Sequence, residues 1–121
     1  MKSSDYRELK VWQKAVDLAI EIYCLVKQLP KEETYALSDQ MRRAAVSVPS
    51  NIAEGHGRDS SKEFVRFLSM SRGSLRELAT QLEISYRIHY IEREIYDETN
   101  ERIIEIDKML TSLATKLTTN N

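Results

Sequence analysis

The chain of 121 residues is 41% hydrophobic and 31% charged, with a formal net charge of −1. That is enough polypeptide for one domain with one core. The near-zero charge excludes a protein that holds nucleic acid by bulk charge alone, because that attraction scales with the number of phosphates neutralised; localised basic patches stay open. Three Gly and two Pro argue against long loops and against a many-turned β fold.

A single cysteine, Cys24, excludes an intrachain disulfide. Set in an apolar helical run, it reads as a small core-flanking residue in a protein of a reducing compartment. The opening "MKSSDYRELKVWQ" has no apolar signal-peptide core, and no apolar run approaches the length of a membrane span. The expectation is a soluble, cytoplasmic protein with no membrane contact.

The first helix is expected over about Leu9 to Leu29. Trp12, Ala15, Val16, Ala19, Ile22, Tyr23, Val26 and Leu29 follow three-four spacing. Val11, Leu18 and Leu25 add a second line, so the apolar arc spans roughly 220° of an ideal wheel. One core needs little more than ~100°, which leaves the second line to face a partner. Pro30 stops the helix. The second helix is expected over about Ser38 to Glu54, with Ser38 as N-cap, Leu37, Met41, Ala44, Ala45, Val48 and Ile52 inward, and Gly55 as a left-handed exit. The third begins at "SSKE", where Ser60 and Glu63 form a capping box. It carries Phe64, Phe67, Leu68, Ser71, Leu75, Leu78, Leu82 and Tyr86 on one stripe and ends near His89, a residue suited to a helix C-terminus. The fourth runs from about Glu92 to Leu117. Its narrow stripe of Tyr96, Ile103, Ile106, Leu110, Leu113, Ala114 and Leu117 suits one face in and the rest in water. Long helices with short connections predict an all-α, antiparallel up-down four-helix bundle over residues 9–117, with an N-terminal extension at 1–8 and a frayed tail at 118–121.

"MRRAAVSVPSNIAEGHGR", Met41 to Arg58, interrupts this regularity. Pro49 lacks an N–H, so the Ala45 carbonyl loses its helical partner, and Val48 is pushed away from helical angles. A kinked second helix, or two pieces meeting at Pro49, follows. The small residues Ala44, Ala45, Ser47 and Ser50 leave room, and Asn51 and Glu54 can hydrogen-bond backbone groups there.

The segments "LKVWQKAVDLA", "QMRRAAVSVPSNIAEG", "EFVRFLSMSRGSLRELATQLEIS" and "HYI" resemble the four-helix-bundle proteins named after the intervening sequences of the 23S ribosomal RNA gene. The resemblance covers about residues 6–117, and "SNIAEG" (Ser50 to Gly55) and "GSLREL" (Gly73 to Leu78) are its most specific parts. It implies a small bacterial bundle that assembles as a homopentameric ring. The chain is also similar to the accessory protein of diversity-generating retroelements, a strongly basic pentameric barrel that engages a reverse transcriptase and nucleic acid; the near-neutral charge here departs from that pattern.

Chemistry-bearing constellations are sparse. "GHG" at Gly55 to Gly57 fits an anion-binding nest or, more plainly, an interhelix turn. Glu54, His56 and Asp59 match no metal-ligand spacing. The chain has no nucleophile elbow, H-E-x-x-H, P-loop or Glu-x-x-His. Neither enzyme activity, cofactor, metal nor small-molecule substrate is expected. Lys62, Arg66, Arg72 and Arg76 fall within roughly a 120° arc opposite the third helix's apolar stripe, and Arg42 and Arg43 add charge on the second helix. Residues 61–91 hold five Lys or Arg against three Glu, and residues 92–121 hold four against seven acids. The stripe is either a phosphate-holding band for RNA, DNA or a nucleic-acid-bound partner, or a solvated face of charge pairs. Gly73, an internal helical glycine, points with Ser74 to a close subunit contact, so the interface expectation comprises Val11, Leu18, Leu25, Gly73 and Ser74. Two functions remain: a non-enzymatic oligomeric accessory or scaffold protein working on nucleic acid, and a protein–protein interaction module that never touches it.

Overall fold

The computed structural model describes residues 5–119. A 3-10 turn at Tyr6–Glu8 precedes α1 (Lys10–Leu25), which tightens into a second 3-10 turn at Val26–Gln28. A third turn, Lys31–Glu33, leads to α2 (Leu37–His56), α3 (Ser61–Arg87) and α4 (Arg93–Thr119). Among the described residues there is no strand. Each long helix packs on two others, α1 and α3 each touching both α2 and α4, which is the arrangement of a four-helix bundle. Tyr6 to Glu8 belong to the packed structure, while residues 1–4 of the expected extension lie outside the described residues, as do positions 120–121 of the expected tail. The rest of that tail, Thr118 and Thr119, is helical.

The core is built from the stripes. Ala15, Leu18, Ile22 and Leu25 of α1 meet Met41, Ala45, Val48 and Ile52 of α2, Leu68, Leu75, Leu78 and Leu82 of α3, and Ile103, Ile106 and Leu110 of α4. The wide apolar arc of α1 is used within the chain, because two neighbouring helices cover it. Val11, Leu18 and Leu25, expected at a subunit interface, are therefore buried in the chain's own core. What α1 leaves uncovered is Ile20 and Tyr23, 59% and 48% exposed. Cys24 lies on this outward side and is exposed, contrary to its expected place beside the core.

The helix ends show which local signals prevailed. Ser60 Oγ accepts from the Glu63 N–H at 3.2 Å, as the capping box requires. Ser38 does not cap α2: it is buried inside the helix, and a Glu33 carboxylate oxygen accepts the Leu37 N–H at 3.3 Å instead. The Arg42 guanidinium, donating to the Thr34 carbonyl at 3.0 Å, braces the same entry. At the end of α3, His89 takes the left-handed conformation (φ 67°). Tyr90 N–H reaches back to the Ser85 carbonyl at 2.9 Å and His89 N–H to the Tyr86 carbonyl at 3.0 Å, the paired closure of a Schellman motif with histidine where glycine is usual.

The helix α2 is continuous through Pro49 and Val48 rather than split in two. Asn51 Nδ2 donates to the Ser47 carbonyl at 2.9 Å and to Ser47 Oγ at 3.0 Å. From α3, Ser71 Oγ donates to the Val48 carbonyl at 2.8 Å. Glu54 does not serve this backbone; it pairs with Arg58 at 2.9 Å. Gly55 is not a left-handed exit either, since no glycine in the described chain has positive φ. It lies inside α2, where a Cβ would stand 2.6 Å from Phe67 Cβ and 3.3 Å from the Phe64 carbonyl oxygen. Its missing side chain is what lets α2 and α3 close.

Two stability predictions follow from these positions. Gly55→Ala forces α2 and α3 apart and lowers unfolding free energy by about 1–3 kcal/mol, read as a lower urea midpoint. At His89, a β-branched residue is strained in the left-handed region by about 1–2 kcal/mol, so His89→Val lowers the thermal midpoint while His89→Gly leaves it unchanged or raises it.

Candidate interaction surfaces

Four of the six residues of the expected basic band have carboxylate partners that hold them. Arg42 lies 3.8 Å and Arg43 2.9 Å from Asp39. Arg66 pairs with Glu63 at 3.1 Å while its guanidinium stacks on the Phe67 ring, 4.8 Å from the centroid. This pairing holds the Glu63 carboxyl below the usual carboxylate range and raises the arginine. Arg72 is half-buried against Asp107 of α4 at 3.0 Å. Lys62 and Arg76 have no carboxylate within ion-pair distance among the described residues. The band is thus largely a face of charge pairs, which contribute little individually when exposed.

His56, expected in an open turn, is 6% exposed. It ends α2 and meets Tyr6 and Phe64 edge-on, with ring centroids 6.4 and 5.8 Å away. The "GHG" stretch is therefore a helix end packed under the N-terminal turn. Among the described residues no group of three or more His, Cys, Asp or Glu could hold a metal, and no described helix is long and apolar enough to cross a membrane. Ser74, expected at a subunit contact, is buried and donates to Ser47 Oγ at 2.9 Å, so it serves the α2–α3 seam. Gly73 is exposed, and nothing lies within 4 Å of where its Cβ would stand.

Two features escaped the sequence. The first is an apolar groove of about 300 Å³ between α1 and α2, lined by Val16, Ala19, Ile20, Tyr23, Val46 and Pro49. The surplus arc of α1 signalled it, but periodicity cannot say which line of that arc its neighbours leave open. The second is a polar knot at the α3–α4 turn. Tyr96 donates to Glu83 at 2.5 Å and stacks on Tyr86 with centroids 4.7 Å apart. Arg87 pairs with Glu83 at 2.8 Å, and Arg93 pairs with Asp97 at 3.2 Å and donates to the Tyr86 hydroxyl at 3.2 Å. The Tyr96 hydroxyl, and then Arg87, hold the Glu83 carboxyl below its ordinary 4.5. The same carboxylate pushes the Tyr96 hydroxyl above its ordinary 10.0.

The knot carries a pH signature. A depressed carboxyl contributes stability that is present above its unfolded value, near 4.5, and is lost as pH falls through the lower folded value. The raised phenol contributes stability below pH 10.0 that is lost as pH rises through its folded value. Glu83→Gln should flatten the acid limb of the thermal midpoint against pH while leaving the plateau helicity intact.

Comparison with known proteins adds three findings. The family model described as 23S rRNA-intervening sequence protein matches residues 7–112. A solved structure of a protein of unknown function from the S23 ribosomal protein family of Bacteroides thetaiotaomicron superposes with a TM-score of 0.78 at 28% identity, covering 86% of this chain and 97% of that one. No curated protein matches.

Proposed function

Because the chain belongs to the 23S rRNA-intervening sequence protein family, we propose that it works as a non-enzymatic, self-associating scaffold, a protein-interaction module built on an up-down bundle. The open apolar groove of Val16, Ala19, Ile20, Tyr23, Val46 and Pro49 carries this reading. A contiguous apolar hollow on a surface rich in charge pairs favours a protein contact. The helix directions are supported by pairings that run in opposite order along neighbouring elements: Ser47 with Ser74 and Met41 with Ser85 between α2 and α3, and Lys14 with Glu105 and Glu21 with Arg102 between α1 and α4. In this reading α2 bends at Pro49, whose ring helps line the groove, and copies assemble as a homo-oligomeric ring, of five by family resemblance.

Engagement of RNA, DNA or a nucleic-acid-bound partner is the second reading. It rests on Lys62 and Arg76, which no carboxylate among the described residues pairs, and on Arg43, whose side chain is 80% exposed despite its pairing. Light scattering and salt-dependent binding separate the two. The scaffold reading expects an oligomer that Ile20→Asp reduces toward monomer without loss of helicity, and weak binding of structured RNA that is insensitive to Arg76→Glu. A monomer at every concentration overturns self-association. RNA binding that falls steeply between about 50 and 200 mM salt and is abolished by Lys62→Glu with Arg76→Glu instead supports the nucleic-acid role.

A further inference from the structure

The middle of α3 gathers several features that the chain itself does not use. Among the described residues Arg76 is the arginine without a carboxylate partner; each of the others has one. One residue on, Glu77 is exposed and no described cation pairs with it. One turn further, the Gln81 Oε1 is buried with no hydrogen-bond partner, although buried acceptors are seldom left so. Glu77 and Gln81 line a groove of about 490 Å³ with Gln40, Arg43, Ala44 and Ser47 of α2. Arg43 is already engaged by Asp39, which leaves the Glu77 carboxylate and the Gln81 Oε1 as acceptors in the groove without a described cation. Between the arginine and these acceptors lies Gly73, exposed and facing open space, at a helix-interior position where glycine is less favourable than alanine. Nothing inside the chain explains it. Met70 and Ile84, 45% and 44% exposed, continue the same outward face.

We propose that this face is where a second copy of the chain docks, α3 against a parallel α3. The Arg76 guanidinium of one copy enters the groove of the other, where the Glu77 carboxylate accepts it and the Gln81 Oε1 does so once its side chain turns outward, and Gly73 is the point of close approach. On a helical wheel at about 100° per residue, Arg76 falls on one flank of the Gly73 line and Glu77 and Gln81 on the other. Two parallel helices facing each other bring unlike flanks together, arginine to carboxylate. Antiparallel helices bring like flanks together, arginine to arginine and acid to acid, which is repulsive. The charge layout therefore selects the occupant and its direction. A guanidinium suits the site because its fork donates to a carboxylate and a neighbouring carbonyl at once. The proposal rests on the self-association reading and adds to the α1–α2 groove a second contact between copies, on α3.

The test is a charge-exchange cycle measured by sedimentation or light scattering over a concentration series, with helicity checked by circular dichroism. Arg76→Glu and Glu77→Arg singly should each raise the self-dissociation constant at least ~10-fold, and the double exchange in one chain should restore it toward the parent value. Gly73→Leu should abolish the contact, and Gln81→Leu should weaken it while the subunit itself resists heat at least as well. A parent protein that stays monomeric overturns this contact and the self-association reading together. A parent oligomer indifferent to all four substitutions overturns the α3 contact and leaves self-association to the Ile20–Tyr23 groove.

Discussion

The seam between α2 and α3 is the constraint on which the rest of the bundle depends. Gly55 leaves no Cβ where one would press within 2.6 Å of Phe67 Cβ, and Ala44, further up α2, lines a groove with Glu77 and Gln81 of α3. Close approach has a requirement of its own: hydroxyls trapped in the seam must find partners. Ser71 donates to the Val48 carbonyl and Ser74 to Ser47, so the polar atoms at the seam also tie the two helices together. The helix carrying a proline is thus secured by its neighbour at the level of that proline, which explains how α2 stays one element across Pro49.

The remaining seams differ in kind. Between α3 and α4, half-buried Arg72–Asp107 and the Glu83–Tyr96 hydrogen bond supplement leucine and isoleucine packing. Between α1 and α4 the polar ties are Lys14–Glu105 at 3.3 Å and Arg102–Glu21 at 2.6 Å, and this is the sparsest of the four helix pairings. Exposed charge pairs hold register more than they add stability. The bundle is thus strong on one side and lightly latched on the other, while its uncommitted apolar and polar groups collect on α1–α2 and α3.

Much of this was legible in the sequence because apolar period reports burial directly. The stripes of α3 and α4, and the Ser60–Glu63 cap, depend on residues a few positions apart and appear where the pattern puts them. The failures share a cause, which is competition from residues distant in the chain or out of pattern. Ser38 lost the α2 cap to Glu33, a loop carboxylate no capping rule singles out. Val11, Leu18 and Leu25 turned inward because two helices, not one, cover α1. Gly55 and His89 exchanged roles: the glycine serves interhelix packing and the histidine takes the left-handed turn, and neither choice is visible without the partner surface or the backbone angle. The basic band resolved largely into the charge pairs that were its plainer reading: Asp39 with Arg42 and Arg43 and Glu63 with Arg66 stand at helical spacings visible in the sequence, and only Arg72's acid lies on another helix. The groove at Ile20 and Tyr23 was foreshadowed only as surplus hydrophobicity.

The uneven seams also set an order of assembly. α2 and α3 are adjacent in the chain and joined by a short connection, so their contacts close a small loop and form early. α1 gains its other neighbour only when α4 has been made, because the pairing of Lys14 with Glu105 and Glu21 with Arg102 joins opposite ends of the chain. During synthesis the α4-facing flank of α1, Val11 among it, waits uncovered until the final helix leaves the ribosome. The α1–α4 seam thus closes, during synthesis, only after the elements of the α2–α3 seam are already present.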